Sequence, residues 1–118
     1  MINPPKWAQD LVINACIKMD SELPTLTWRQ RNSEASNGYC DLPSRHIVIH
    51  AGKNHLDQKL YLLHELAHAI TGHQHTSEFW DMAWKLYRWA KLPIKHCQKR
   101  EYPYKKGAAI AYRRSKKN

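Results

Sequence analysis

The spacing of apolar residues divides the first half of the chain into one helix-forming and two strand-forming regions. Over residues 5–19 apolar side chains recur every three or four positions, which predicts an amphipathic helix packed on a core. Residues 25–31 alternate between apolar and polar side chains, and residues 45–50 are rich in β-branched side chains, so both are predicted strands. The Asn37-Gly38 pair is typical of a hairpin turn, which predicts a returning strand from about residue 39 and a mainly antiparallel sheet.

Two further helices are predicted in the second half of the chain. Residues 54–71 are apolar on nearly all sides, which is typical of a central, buried helix, and Gly72 is a natural stop. A following helix is predicted over residues 76–90, where Phe79 lies on the inner stripe and Trp84 on an aromatic flank, so both are expected to be structural. The order of elements predicts an α+β domain with an N-terminal helix, a short three-stranded sheet and two C-terminal helices.

The 118 residues suit one compact domain, and their charge is unevenly distributed. From residue 85 onward the chain has twelve lysine and arginine residues against one acidic residue, Glu101, which gives this third a charge of +11. Because the whole chain carries +9, the first 84 residues carry −2. We therefore expect a domain over residues 1–104 and a basic tail over residues 105–118, which either contacts a nucleic acid or another anionic surface or is simply solvated.

Features that the sequence lacks indicate the compartment. There is no run of 18 consecutive apolar residues, so neither a transmembrane helix nor a membrane partner is expected. The first residues show no apolar stretch followed by a small-residue cleavage site, so no secretory signal is expected. Cys16, Cys40 and Cys97 are odd in number and widely spaced, which argues against a disulfide framework. A cytoplasmic protein is the simplest interpretation.

The segment His64-Glu65-Leu66-Ala67-His68 places three side chains with metal-site chemistry on the predicted central helix. Four residues turn an α-helix through about 400°, so the two imidazoles project from one face, one turn apart. Two nitrogens at that separation can reach one Zn²⁺ at about 2.0–2.1 Å, while the glutamate can act as general base on a metal-bound water. The alternative is a pair of exposed histidines on a half-buried helix, which leaves the buried setting unexplained.

A catalytic Zn²⁺ needs a third protein ligand and an open coordination position. The nearby candidates are His73, His75, Glu78 and Asp81, all on the segment that follows Gly72. His73 directly follows the glycine and is expected to point outward, whereas His75 stands at the entry of the next helix, where the chain has room to turn back. The spacing therefore favours His75 and leaves the other three open. The remaining histidines are expected to be ordinary surface or sheet residues: His46, His50, His55 and His96.

The chain combines H-E-L-A-H at residues 64–68 with H-T-S-E-F at residues 75–79. This combination resembles the SprT-like (Spartan) zinc metallopeptidases, whose pattern is H-E-x-x-H, a short loop and H-G-x-x-F, and the likeness extends over roughly residues 25–89. Thr76 stands where the family usually has glycine, and the C-x-x-C pairs of a C-terminal zinc ribbon are absent, since Cys97 stands alone. The resemblance implies a zincin-like domain with one Zn²⁺ per chain. It implies these site residues: His64, His68 and His75 as metal ligands and Glu65 as the catalytic residue.

Two functions are predicted from these features. The first is a zinc metallopeptidase that hydrolyses protein or peptide substrates through a zinc-activated water with Glu65 as general base, the substrate adding a strand beside residues 45–50. The second is a nucleic-acid-binding protein with a structural or vestigial zinc site, whose basic tail contacts DNA or RNA. Some family members cleave proteins crosslinked to DNA, so the two functions are compatible. Glu65 favours the enzyme, because a structural zinc site has no use for it; hydrolysis of a non-peptide amide is a third interpretation.

Overall fold

The chain folds into four helices and three strands over the residues that the structure describes. This structure is a computed structural model, and it describes residues 4–29, 38–50, 54–72 and 74–101. Its elements are α1 (Lys6–Met19), β1 (Thr25–Arg29), β2 (Gly38–Asp41), β3 (His46–His50), α2 (His55–Thr71), α3 (Ser77–Trp89) and α4 (Ile94–Arg100). The α+β class is confirmed, and α4 is an addition that the weak apolar pattern after Pro93 did not predict. A turn is predicted over residues 32–38, and its residues 32–37 lie outside the described residues, as do His73 and the basic tail.

The sheet has β3 at its centre, with β1 on one side and β2 on the other. β1 pairs with β3 in parallel, Thr25 opposite His46, whereas β2 pairs with β3 in the antiparallel direction, Gly38 opposite Ile49. The sheet is therefore mixed rather than mainly antiparallel, and the expected hairpin pairing of β1 with β2 is wrong because β3 lies between them. Burial explains this order: residues 47–49 are at most 1% exposed, and a central position covers both edges of this most apolar strand.

The central position of β3 also corrects the expected place of an added strand. β1 pairs with residues 46–50 of β3 and β2 pairs with residues 46–49, so a further strand has no edge to pair with along residues 46–49. Within the described sheet the outer edges belong to β1 and β2. α2 packs against β2 and β3, which puts the edge of β2 on the side of the sheet nearest to this helix.

α2 is the central helix, as its apolar sequence predicted, and it contacts α1, α3, β2 and β3. The Asn54 side chain caps its start by accepting the Asp57 N–H at 2.8 Å. Gly72 ends it with φ 125° and ψ 176°, a conformation that L-residues rarely adopt, and the Gly72 N–H donates to the His68 carbonyl at 2.8 Å. A Cβ placed on Gly72 would meet no described atom within 4 Å, so conformation and not space requires glycine there. The following α2 residues are at most 1% exposed: Leu60, Leu62, Leu63, Leu66 and Ala67.

α3 packs its inner stripe against α2. The Thr76 hydroxyl oxygen accepts the Phe79 N–H at 3.2 Å, which caps the start of the helix as expected for threonine at this position. Phe79 is fully buried and Trp84 is 1% exposed, so their prediction as core residues is confirmed. The buried face of the helix consists of Phe79, Trp80, Ala83, Trp84, Leu86 and Tyr87.

A buried carboxylate fastens α4 to the start of α2. Asp57 is 1% exposed and accepts hydrogen bonds from His96 Nε2 at 2.6 Å and from Arg100 Nε and Nη2 at 2.9 and 2.8 Å. Cys97, on the same short helix, is fully buried in the core. A helix of seven residues gains little stability from its own backbone hydrogen bonds, so α4 depends on these contacts. They hold the next residue, Glu101, at a defined position beside α2.

Within the described ranges, no helix is both long enough and apolar enough to cross a membrane. The thiols of Cys16, Cys40 and Cys97 are buried and form no disulfide. Burial raises the pKa of Cys40 to about 11, with the charge of Glu65 adding to the effect. The three cysteines are therefore core residues of low reactivity at neutral pH.

The burial of α3 gives a direct test of the packing. Trp84→Ala is expected to lower the free energy of unfolding by about 3–5 kcal/mol, because it empties a fully buried site. The control is Ile17→Ala. Because Ile17 is 73% exposed, this variant is expected to change the free energy of unfolding by less than about 0.5 kcal/mol. Both values come from urea unfolding followed by circular dichroism. Equal midpoints for the two variants would contradict the described docking of α3.

Candidate metal centre

Three histidines converge near the C-terminal end of α2. His64 and His68 lie one turn apart on this helix, and His75 comes from the segment just before α3. The ring centroids are 5.1 Å apart for His64 and His68, 5.5 Å for His64 and His75, and 4.9 Å for His68 and His75. One ring nitrogen from each residue lies within 4.8 Å of the other two, so the three side chains could hold one metal ion. We call this group the histidine triad.

Hydrogen bonds to Nδ1 set the orientation of the two triad imidazoles on α2. His68 Nδ1 lies 2.7 Å from the carbonyl oxygen of Gly72, which can only accept, so this nitrogen carries the proton. His64 Nδ1 lies 3.0 Å from Oε1 of Glu101. A ring that donates from Nδ1 has its lone pair on Nε2, which is the tautomer that binds a metal through Nε2. The glycine that ends α2 thus also orients a candidate ligand.

Two aromatic side chains of α3 pack against the triad. Phe79 stacks on His68, with the ring centroids 4.2 Å apart and an angle of 25° between the planes. Its ring also lies 5.0 Å from those of His64 and His75. Trp80 stacks on His75 at 5.6 Å and 26°. Phe79 and Trp80 are therefore both core residues and part of the wall of the site.

Glu65 lies half-buried beside the first histidine of the motif. Burial raises the pKa of its carboxyl group above the usual value; the charge of His64 opposes this effect and that of Glu101 reinforces it. A carboxylate with a raised pKa is a better proton acceptor near neutral pH. Glu65 is not among the three side chains that converge as candidate metal ligands, which suits a general base.

Two residues that the sequence did not single out complete the surroundings of His64. Glu101 is 3% exposed, and its Oε1 accepts a hydrogen bond from the Tyr87 hydroxyl at 2.8 Å as well as contacting His64. Burial lowers the pKa of His64, but the hydrogen bond and charge of Glu101, together with the charge of Glu65, outweigh burial and raise it. Burial, reinforced by Glu101, raises the pKa of Tyr87 well above its usual value, which keeps the hydroxyl a donor.

The other candidates for a third ligand are arranged differently. Glu78 and Asp81 are exposed on α3, and among the described residues the converging group contains neither. His73 lies outside the described residues. The structure therefore brings His75 together with His64 and His68, as the spacing favoured.

Three histidines away from the triad have structural contacts. His46 forms hydrogen bonds with the hydroxyls of two threonines on β1. His55 packs on Trp7 with the ring centroids 4.3 Å apart, and His96 binds the buried Asp57. These contacts account for the three residues without any role in metal binding.

Comparisons of the chain with protein-family models, with curated proteins and with solved structures found no match. The resemblance to the SprT-like metallopeptidases therefore stays a prediction based on the motifs at residues 64–68 and 75–79. The convergence of the histidine triad is a separate observation, because it follows from the packing of α2 against α3.

The triad predicts one Zn²⁺ per chain. His75→Ala is expected to lose most of the bound metal, because it removes one of three nitrogen donors. The control is His55→Ala, which replaces an exposed histidine outside the triad and is expected to keep the metal. The measurement is elemental analysis after dialysis against metal-free buffer. Full zinc in His75→Ala, together with loss in His73→Ala or Glu78→Ala, would show that the third ligand is wrongly assigned.

Proposed function

We propose that the protein is a zinc-dependent metallopeptidase. The observation that supports this most directly is the convergence of the histidine triad beside the half-buried carboxylate of Glu65. Peptide hydrolysis requires a proton acceptor next to the metal, whereas a structural metal site gains nothing from a carboxylate of raised pKa. The proposed site residues are Glu65 as general base and His64, His68 and His75 as ligands.

The donor set suits Zn²⁺. Imidazole nitrogens are common zinc ligands, and three protein ligands leave a coordination position open, as in catalytic zinc sites. Burial lowers the pKa of His75, the charge of His64 lowers it further and that of Glu101 opposes both, and a lowered pKa favours the neutral imidazole whose lone pair can bind a metal. When bound, Zn²⁺ supplies a water of lowered pKa and polarises the scissile carbonyl group.

The chain's own residues provide the proton transfers. Glu65 takes a proton from the attacking water and later donates it to the departing amine nitrogen, so one carboxyl group serves as base and then as acid. Its raised pKa favours the first of these steps, because the carboxylate binds the proton more firmly than an exposed glutamate does. Phe79 stacks on His68 and Trp80 stacks on His75, which restricts the orientation of these two imidazoles.

We propose an extended, unfolded peptide segment as the substrate, bound along the outer edge of β2. β2 packs against α2, and its Cys40 lies close enough to Glu65 for the carboxylate charge to raise the pKa of the thiol. An edge strand binds a peptide through main-chain hydrogen bonds, which any sequence can form. The edge of β2 therefore replaces residues 45–50 as the proposed place of the added strand.

A second function is supported by the charge of the C-terminal third. Its +11 charge is partly displayed by the described residues, since Lys91, Lys95 and Lys99 are exposed on or beside α4. We propose that this basic segment binds DNA or RNA phosphates and brings the peptidase to nucleic-acid-associated proteins. The alternative function is nucleic-acid binding by a protein whose zinc site is only structural. It would use the same basic segment, but it would not explain the presence of Glu65.

The peptidase proposal predicts that Glu65→Gln keeps zinc and fold but loses hydrolysis. Glutamine preserves the shape of the side chain and cannot accept a proton at neutral pH, so turnover is expected to fall about 10²–10⁴-fold. Glu22→Gln is the matched control, because that carboxylate is 88% exposed and lies outside the site. The assay is cleavage of unfolded casein alongside zinc analysis. Unchanged turnover in zinc-loaded Glu65→Gln would exclude this mechanism.

The nucleic-acid proposal predicts that deletion of residues 105–118 weakens binding to duplex DNA and leaves zinc content unchanged. The deletion removes six lysine and arginine residues. If all six contact phosphates, the slope of log affinity against log salt is expected to fall by about 0.9 for each, or roughly five in total. Fluorescence anisotropy at several salt concentrations measures the slope. An unchanged affinity and slope would leave these residues without a role in nucleic-acid binding.

A further inference from the structure

We propose that Glu101 is a positioning residue that fixes His64 in its metal-binding orientation, and that Tyr87 and α4 hold Glu101 in place. The inference rests on the metal site proposed above and adds to it a part of the chain that the zinc motif does not include. Glu101 lies 37 residues after His64 and reaches it only because α4 docks beside α2.

The contacts of Glu101 point to this role. Its side chain is 3% exposed, and a buried carboxylate requires hydrogen-bond donors to remain charged. Oε1 lies 3.0 Å from His64 Nδ1 and 2.8 Å from the Tyr87 hydroxyl, so one oxygen accepts from both groups. The Tyr87 ring is fully buried on α3, which fixes the hydroxyl and leaves Glu101 little freedom to turn away.

A carboxylate in this position has a known physical effect on a ligating histidine. Accepting the Nδ1–H selects the tautomer whose Nε2 holds the lone pair, fixes the ring, and makes Nε2 more basic. His68 receives the first two effects from the neutral carbonyl of Gly72. His64 contacts a buried carboxylate, so we expect its ligation to depend on this partner outside the metal site.

α4 has the features of a support for Glu101. Its hydrogen bonds to Asp57 fix it at the start of α2, two turns before His64, and its Cys97 is fully buried in the core. Glu101 is the residue that ends α4, with its N–H donating to the Cys97 carbonyl at 2.9 Å. The position of the carboxylate is thus set by contacts that do not involve the triad.

The test is zinc affinity measured by competition with a chromophoric chelator, with the absorption spectrum of Co²⁺ as a probe of ligand geometry. Glu101→Ala is expected to weaken zinc binding by about 10–100-fold. Glu101→Gln is expected to weaken it less, since glutamine keeps an acceptor but no charge. Tyr87→Phe removes a single hydroxyl and should also weaken zinc binding. This variant replaces Glu101→Ala in the test if Glu101→Ala does not fold. Lys99→Ala, an exposed neighbour on α4, is the control and should match wild type.

Val12→Ala separates positioning from stability. Val12 is buried on α1, which carries neither Glu101 nor a member of the triad, so this variant is expected to lower the melting temperature of the metal-free protein more than Glu101→Gln does, yet to change zinc affinity less. If affinity instead follows melting temperature across all variants, Glu101 is only structural and the proposal is wrong. Tight zinc binding by wild type with unchanged affinity and Co²⁺ spectrum in Glu101→Ala would refute this role alone. A wild-type protein that binds no zinc would refute the metal site as well.

Discussion

The structure depends on a helix that is buried on nearly every side and still carries ionisable groups. A buried polar group without a partner destabilises a protein by roughly 1–3 kcal/mol, and more if it is charged, so each such group on α2 needs a hydrogen bond. His68 has the carbonyl of Gly72, His64 has Glu101, and Asp57 at the other end has two side chains of α4. The requirement to satisfy these groups determines what must surround α2.

The neighbouring elements supply those partners while they complete the core. α3 contributes apolar rings that fill space under α2, and two of these rings stack on the histidines. α4 is too short to be stable alone. It positions the buried Glu101 at its end, and its own side chains bind the buried Asp57 of α2. The sheet covers α2 from another side and leaves an edge beside it. Candidate metal centre and core are therefore formed by the same contacts, and a change in helix packing is expected to alter both.

Local features of this fold could be predicted from the sequence, and features set by distant contacts could not. The four-residue spacing of His64 and His68 gives the same geometry in any α-helix, so the placement of these two triad members was predictable from spacing alone. The strand order was not predictable, because the Asn37-Gly38 pair indicates one turn and does not determine which strand lies at the centre of the sheet. The role of Glu101 was not predictable for a similar reason. Its partner His64 lies 37 residues away in the sequence, and the short α4 has little apolar periodicity.

Gly72 shows how chirality enters a candidate metal centre. Its φ of 125° and ψ of 176° are close to the mirror image of ordinary extended backbone, and the surrounding space would admit a Cβ. A D-amino acid favours this region as an L-residue favours its mirror image. D-alanine at this position, introduced by chemical ligation, would keep the carbonyl directed at His68 and would restrict the unfolded chain more than glycine does. Among the genetically encoded amino acids, only achiral glycine readily adopts the conformation of Gly72, whose carbonyl oxygen accepts the hydrogen bond from His68 Nδ1.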